Sequence, residues 1–179
     1  MIVKECSFDT IKFFIKEYHY LKRMPAGILA CFALYDKDEV FPVGGAVFSN
    51  GRIQYDKKYI EFARLYLYDE IPKNSETFFI GKCLRLLQKK FPKYEGIVSW
   101  SDSNKGHVGT IYKASNFSYD GNSRLVKKYK SNSNRIVYQR TVENENNFEF
   151  LGYDKPKKRW IYYFDKKKRE RLRKSLTKP

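Results

Sequence analysis

The chain has 179 residues, with 36 Lys and Arg against 20 Asp and Glu, a net charge of +16. That length suits one domain with its own core, and the charge favours a polyanion, because phosphate-bound lysines and arginines release counterions. No apolar run is long enough to span a bilayer and the N-terminus has no signal-peptide architecture, so a soluble, cytoplasmic protein with no membrane partner is expected.

Ile2 to Ser7 reads as a first strand, and Phe8-Asp9-Thr10 can cap a helix with Ile11, Phe14, Ile15, Tyr18 and Leu21 on one face. His19 flanks that stripe while Tyr20 points away, and Pro25-Ala26-Gly27 breaks the helix. Ile28 to Tyr35 and Val40 to Phe48 read as a hairpin joined by the charged turn Asp36-Lys37-Asp38-Glu39. Gly44-Gly45 inside the second strand suggests a bulge or a close backbone approach to a ligand. A third strand, Tyr59 to Tyr68, carries Glu61 and Arg64 among apolar and aromatic residues. Asn74 or Ser75 caps a helix from Glu76 to Lys90, with Phe79, Cys83, Leu86 and Leu87 at helical spacing, ended by Phe91-Pro92.

Gly96-Ile97-Val98-Ser99-Trp100 reads as a buried strand, and Val108, Ile111, Tyr112 and Ser115 recur at helical spacing after it. Between them lies a polar, glycine-containing turn with Ser101, Asp102, Asn104 and His107. Ligands of open α/β sheets bind at such strand-to-helix edges. Asp102 also suits simple helix capping. Further on, Phe117 to Tyr119 starts a strand, Asp120 to Ser123 is a turn, and Arg124 to Ser133 reads as a basic loop over the active face. Arg135 to Val142 reads as a strand, Asn144 to Asn147 as a turn, and Trp160 to Phe164 as a last strand.

Lys155 to Pro179 holds 12 basic and 2 acidic residues, so these 25 positions carry +10 of the charge. A division into a catalytic domain, 1–165, and a basic tail, 166–179, loose or helical, is expected. Cys6, Cys31 and Cys83 are odd in number and share no metal-ligand spacing, which indicates neither a disulfide framework nor a zinc knuckle.

The element order is similar to that of the GNAT acyltransferases, an α+β single domain with a central mixed β-sheet flanked by helices. Tyr112-Lys113-Ala114-Ser115-Asn116-Phe117 resembles the Tyr-x-x-x-Gly-Phe ending of a GNAT helix, whose Tyr protonates a leaving thiolate. The stretch Asp69 to Thr77 lacks the glycines of the GNAT pyrophosphate loop, which places acyl-CoA binding in doubt. A more specific resemblance, carried by His19-Tyr20, Glu61 to Leu65, Ser101-Asp102, Gly106 to Ala114 and Lys157 to Tyr162, is to the Mom-like DNA adenine-modification proteins of bacteriophages.

That resemblance implies conversion of adenine N6 in DNA to a carbamoylmethyl derivative that protects phage DNA from restriction in the bacterial host. It also implies an unusual donor and iron, for which His19, Asp102 and Tyr112 are admissible ligands. Double-stranded DNA with a flipped adenine is the expected partner. His19, Tyr20, Arg64, Asp102 and Tyr112 are the candidate catalytic residues, and Ser101, Asn104, His107 and Lys113 the candidate substrate contacts. Arg124, Lys127, Lys128, Lys158, Arg159, Lys166, Lys167, Lys168 and Arg169 are the candidate DNA contacts. An N-acyltransferase acting on protein or tRNA, and a non-catalytic anti-restriction protein, are the alternatives.

Overall fold

A computed structural model describes residues 1–37, 40–50, 57–139, 142 and 147–176. The strands are β1 (Ile2–Cys6), β2 (Ile28–Tyr35), β3 (Gly44–Asn50), β4 (Tyr59–Leu67), β5 (Gly96–Ser101), β6 (Ser118–Asn122), β7 (Val126–Lys130), β8 (Ile136–Tyr138), β9 (Glu149–Asp154) and β10 (Lys158–Tyr163). The helices are α1 (Phe8–Glu17), α2 (Ser75–Lys90), α3 (Thr110–Ala114) and α4 (Lys166–Leu176), with a 3-10 turn at Ser103–Lys105. A seven-stranded sheet in the order β1-β2-β3-β4-β5-β10-β6 forms the body, and β8-β7-β9 form a second, smaller sheet. Among the described residues only the β4–β5 pair is parallel.

Alternation along β2 and β3 sorts side chains onto the two faces. Ala30, Phe32, Leu34, Ala46 and Phe48 pack beneath α2, where Phe79, Ile80, Cys83, Leu84 and Leu87 complete the main core. Cys31, Ala33 and Val47 face the other way and receive Ile11, Phe14 and Ile15 of α1. Gly45 permits that contact, because a Cβ there would lie 2.7 Å from Ile11 Cγ2. The close approach at this glycine is therefore by α1. Leu86, read as part of the α2 stripe, is 41% exposed.

Helix α1 ends at Glu17, before the expected Leu21. His19 Nδ1 accepts a hydrogen bond from the Leu21 N–H at 3.1 Å, which diverts a donor that a longer helix would need. Strand β3 starts only at Gly44, since Pro42 has no N–H for the ladder, and Val40 and Phe41 are exposed. The charged turn after β2 lies in part outside the described residues, as does most of the Asn144–Asn147 turn.

The basic loop expected from Arg124 to Ser133 is instead strand β7 and the start of a hairpin into β8. Its pattern is hidden because lysines occupy strand positions, where Lys128 pairs with Asp154 at 3.4 Å and Lys130 with Glu149 at 3.9 Å across the β7–β9 ladder. Strand β9 was not legible in the sequence. The basic tail is helical over α4, and it docks. Arg169 donates to the carbonyls of Tyr163 and Phe164 and lies over the Tyr162 ring, while Leu172 packs against the Tyr59, Val98, Ile161 and Tyr163 cluster. Lys168 lies over Tyr163 and 3.9 Å from Glu95. Two of the cations expected to reach DNA, Lys168 and Arg169, thus hold the helix to the sheet.

Gly96 opens β5 between β4 and β10, where a Cβ would stand 2.1 Å from the Tyr162 carbonyl oxygen. Backbone cannot yield as a flexible side chain does, so Gly96→Ala should lower the unfolding free energy by about 3 kcal/mol. Urea titration checks this, and an unchanged midpoint would show that the sheet centre relaxes.

Candidate active site

The site begins where two parallel strands part. β4 pairs with β5 only from Tyr59–Gly96 to Glu61–Val98, although β4 runs on to Leu67 and β5 to Ser101. Beyond that point the ladder is replaced by side chains. Ser99 Oγ donates to the Phe62 carbonyl at 2.9 Å, and the same oxygen lies 2.9 Å from the Tyr112 hydroxyl. A serine has one hydroxyl proton and a carbonyl can only accept, so Tyr112 is the donor in the second bond.

A bulge in β4 turns Arg64 toward the site. Val47 pairs with Arg64 and Phe48 with Phe62, which leaves Ala63 as the extra residue. Phe62 therefore faces the α2 core, while Arg64 shares the α1 face with Val47. There its Nε donates to the Arg23 carbonyl at 3.0 Å and one terminal nitrogen to the Ala63 carbonyl at 2.6 Å. Glu61, on the far side of the bulge, is not among these partners.

The segment after α1 brings His19 and Tyr20 to the same place. Their rings stack at 4.5 Å, and Tyr20 lies 5.3 Å from His107. His19 is buried, and burial, then the Arg64 and His107 charges, push its imidazole down to about 4. At neutral pH the ring is uncharged, and because Nδ1 accepts from Leu21, the proton sits on Nε2. His19 thus presents an N–H donor. The Tyr20 phenol is raised, by burial first and then by the Asp102 carboxylate, with Arg64 opposing.

Asp102 closes the other side. Lys157 Nζ lies 2.8 Å from its Oδ2, and the backbone and side-chain nitrogens of Asn104 donate to Oδ1 at 3.0 and 3.1 Å. Burial opposes its charge, but Lys157 and Asn104 outweigh burial and hold the carboxyl below its ordinary value. Its capping role is to the 3-10 turn and not to α3.

Helix α3 spans only five residues and Val108, read as its first stripe position, is exposed. Tyr112 stands behind this mouth with its ring stacked on Trp160 at 5.9 Å and edge-on to Phe62 and Phe117, and burial pushes its phenol up to about 12. The Tyr20 phenol also acts on it electrostatically.

The five expected catalytic residues and His107 therefore converge. Ser101 and Asn104 have structural partners: Trp160 Nε1 donates to Ser101 Oγ at 2.9 Å, and Asn104 exchanges bonds with the Lys155 backbone at 3.2 and 3.3 Å. Lys113 is exposed on α3. Lys158 lies in β10 opposite Ser101 and Asn122. Arg159 is ion-paired with Asp120 at 3.3 Å and lies over Trp100. Arg124, Lys166 and Lys167 are exposed, and Lys127 is half-buried in β7. Sequence reasoning missed Ser99 and Lys157 as members of the site; the signal for Lys157 was its place beside Lys158-Arg159-Trp160.

An iron ion held by the expected trio would have to compete with bonds that these side chains already make. His19 Nδ1, the Asp102 carboxylate and the Tyr112 hydroxyl are each already bonded within the protein, and among the described residues no three His, Cys, Asp or Glu side chains gather as a ligand set.

The model of the Mom protein family matches residues 1–179. The chain is 28% identical over 138 residues to the methylcarbamoylase mom of Escherichia phage Mu, a match that covers 69% of this chain and 55% of that protein, about half its length. The structure is similar to an aminoglycoside acetyltransferase in complex with coenzyme A and kanamycin, with a TM-score of 0.55 and 12% identity over 96% of this chain and 98% of that one. A spermidine N-acetyltransferase from Vibrio cholerae gives 0.55 and 12% over 90% and 94%, and NAA60 of Arabidopsis thaliana with a bisubstrate analogue gives 0.55 and 10% over 90% and 97%. At these identities the likeness shows the fold, which is GNAT-like.

The neutral His19 makes stability depend on pH. Its folded value lies near 4 and its unfolded value near 6.5, so its contribution is complete above 6.5 and is lost as pH falls toward 4. The expected loss is on the order of 2–3 kcal/mol. His19→Asn, which keeps an acceptor for Leu21 but cannot titrate, should flatten the fall of unfolding free energy between pH 6.5 and 4. A slope equal to that of the wild type would show that His19 is protonated freely in the folded state.

Proposed function

The chain belongs to the Mom protein family, and from that premise we propose that it is a transferase that modifies the N6 amino group of adenine in duplex DNA. The proposed product is the carbamoylmethyl derivative, and the proposed role is protection of phage DNA from restriction in the host cytoplasm. The observation that carries this reading is the convergence of His19, Tyr20, Arg64, Asp102 and Tyr112 at the parting of β4 and β5.

Adenine N6 is a weak nucleophile because its lone pair is delocalised into the ring. Reaction needs a base flipped out of the duplex, its edge held, and a proton removed as the new N–C bond forms and the donor's leaving group departs. Asp102, held ionised by Lys157 and Asn104, suits the acceptor of an N6–H hydrogen bond. Its lowered value makes it a better orienting acceptor than a proton sink. The linked rings of His19, Tyr20 and His107 offer an aromatic surface for the flipped base, and His107, exposed at the rim, suits passage of the proton to water. Arg64, fixed by two backbone carbonyls, supplies a positive charge for an anionic group of the donor or a flanking phosphate. Tyr112 keeps its proton near neutrality and suits donation to a leaving group.

The donor is proposed to lack a pyrophosphate. Between β4 and α2 this chain has no glycine, and it carries Asp69 and Glu70 there and Glu76 in the first turn of α2, carboxylates that would repel a polyphosphate. This disfavours an ordinary acyl-CoA-dependent N-acyltransferase.

Nucleoside mass spectrometry of DNA from cells expressing the chain should show a deoxyadenosine heavier by the carbamoylmethyl group. Asp102→Asn, isosteric but uncharged, should lower its yield at least about 100-fold with the melting temperature retained within a few degrees. Unmodified deoxyadenosine from the wild-type strain would sink the reading, and a fully active Asp102→Asn variant would sink the site assignment.

A further inference from the structure

The small sheet β8-β7-β9 is not needed to complete the main core, yet it is rooted at the site. Ser123 N donates to the Lys157 carbonyl at 2.8 Å and Lys157 N to Ser123 Oγ at 2.9 Å, while Asn104 bonds the Lys155 backbone. Both roots of the insert are thereby tied to Asp102 and its partners. Tyr138 of β8 acts as a second link. Its phenol is raised by burial, by Asp154 and by the Asp102 carboxylate, which places β8 within electrostatic reach of the site.

The hairpin formed by β7 and β8 has the chemistry of a nucleic-acid contact. From Arg124 to Gln139 it holds five basic residues, Arg124, Lys127, Lys128, Lys130 and Arg135, and no acidic one. One face carries Lys128 and Lys130 beside Tyr138 and Ile136, their registered partners, and Ile136 is 58% exposed. Lysines flanked by exposed apolar side chains match phosphates beside sugars and thymine methyl groups. The other face is stiffened by Tyr129, Phe148, Phe150 and Tyr153, whose rings contact in series at 5.5 to 6.5 Å.

The tip is ordered without its amides. Ser131 N donates to the Arg135 carbonyl at 2.9 Å and Asn134 N to the Ser131 carbonyl at 2.9 Å, and Ser131 Oγ accepts from Arg135 N at 3.2 Å. The turn is thus built by Ser131 and the backbone, while Asn132, Ser133 and Asn134 are exposed at its end.

We propose that the β7–β8 hairpin is a major-groove reader, in which Asn132 and Asn134 select the base pairs flanking the modified adenine. The proposal rests on the DNA reading above. The major groove admits a two-stranded β-ribbon, and an asparagine amide pairs in bidentate fashion with adenine N6 and N7. Lys128 and Lys130, now paired with Asp154 and Glu149, flank the tip as phosphate contacts.

Selection from a randomised duplex library on the immobilised full chain tests this independently of the chemistry. The wild type should enrich a short motif. Asn132→Ala with Asn134→Gly, the glycine keeping the φ of +61° at that position, should still recover DNA but with preference at one or two motif positions reduced about 10-fold. Asn132→Ala alone, which touches none of the turn's hydrogen bonds, repeats the test if the double variant melts early. Replacing the motif adenines by 7-deazaadenine should weaken wild-type binding by about the same factor. An identical motif from the variant, recovered wild-type DNA with no motif, or indifference to 7-deazaadenine would each overturn the reader. Failure of the wild type to recover any DNA would instead overturn the DNA reading itself. A clear motif with no modified deoxyadenosine would overturn the chemistry and leave the reader standing.

Discussion

The parting of β4 from β5 is the constraint on which the rest of the site depends. Parallel strands that stayed paired would satisfy each other's backbone groups and leave no room between them. Here the Phe62 carbonyl is left without a strand partner, and Ser99 satisfies it with its own hydroxyl. That bond fixes which way the neighbouring phenol donates. A backbone group orphaned by the splay thus determines the proton position on Tyr112, two links away.

Close packing then holds the mouth open from behind. Gly109, at φ +90°, lets the chain lie against Trp160, where a Cβ would be 2.1 Å from the indole ring. Trp160 reaches back to Ser101 and stacks on Tyr112. These contacts join β5, α3 and β10 through one buried indole, so the loop with Asp102 is held by packing on one side and by Lys157 on the other. Such a site is shaped before any substrate arrives, which limits the reorganisation that reaction would demand.

Much of this was legible in the sequence. The apolar runs of β2 and β3 and the helical spacing in α2 are strong signals because the two strands are buried on both faces and the helix along one. The cluster His19, Tyr20, Arg64, Asp102 and Tyr112 was legible as a set of residue types but not as geometry. Its assembly depends on the bulge at Ala63, which sends Arg64 to the α1 face, and on the side chain of His19, which stops α1; neither leaves a periodic trace. The small sheet was missed for a different reason. In β7 the strand positions hold lysines whose partners, Asp154 and Glu149, lie more than 15 residues away, so charge that pairs in space reads locally as a solvated loop.

The same point governs how the charge of +16 should be understood. Several of its members are spent on the fold: Arg169 and Lys168 on α4, Arg159 on Asp120, Lys128 on Asp154. Partly exposed pairs of this kind contribute little stability, about 0–1 kcal/mol each. Their main effect is to hold long side chains in place. A phosphate can compete for Lys128 at small cost, because the pair with Asp154 is weak and already oriented. At the mouth the Asp102 carboxylate is ion-paired with Lys157, and His19, within electrostatic reach of Arg64, is neutral. Under the proposed function that pair keeps the anionic acceptor for an amino group oriented, as the pairs elsewhere on the fold hold their long side chains.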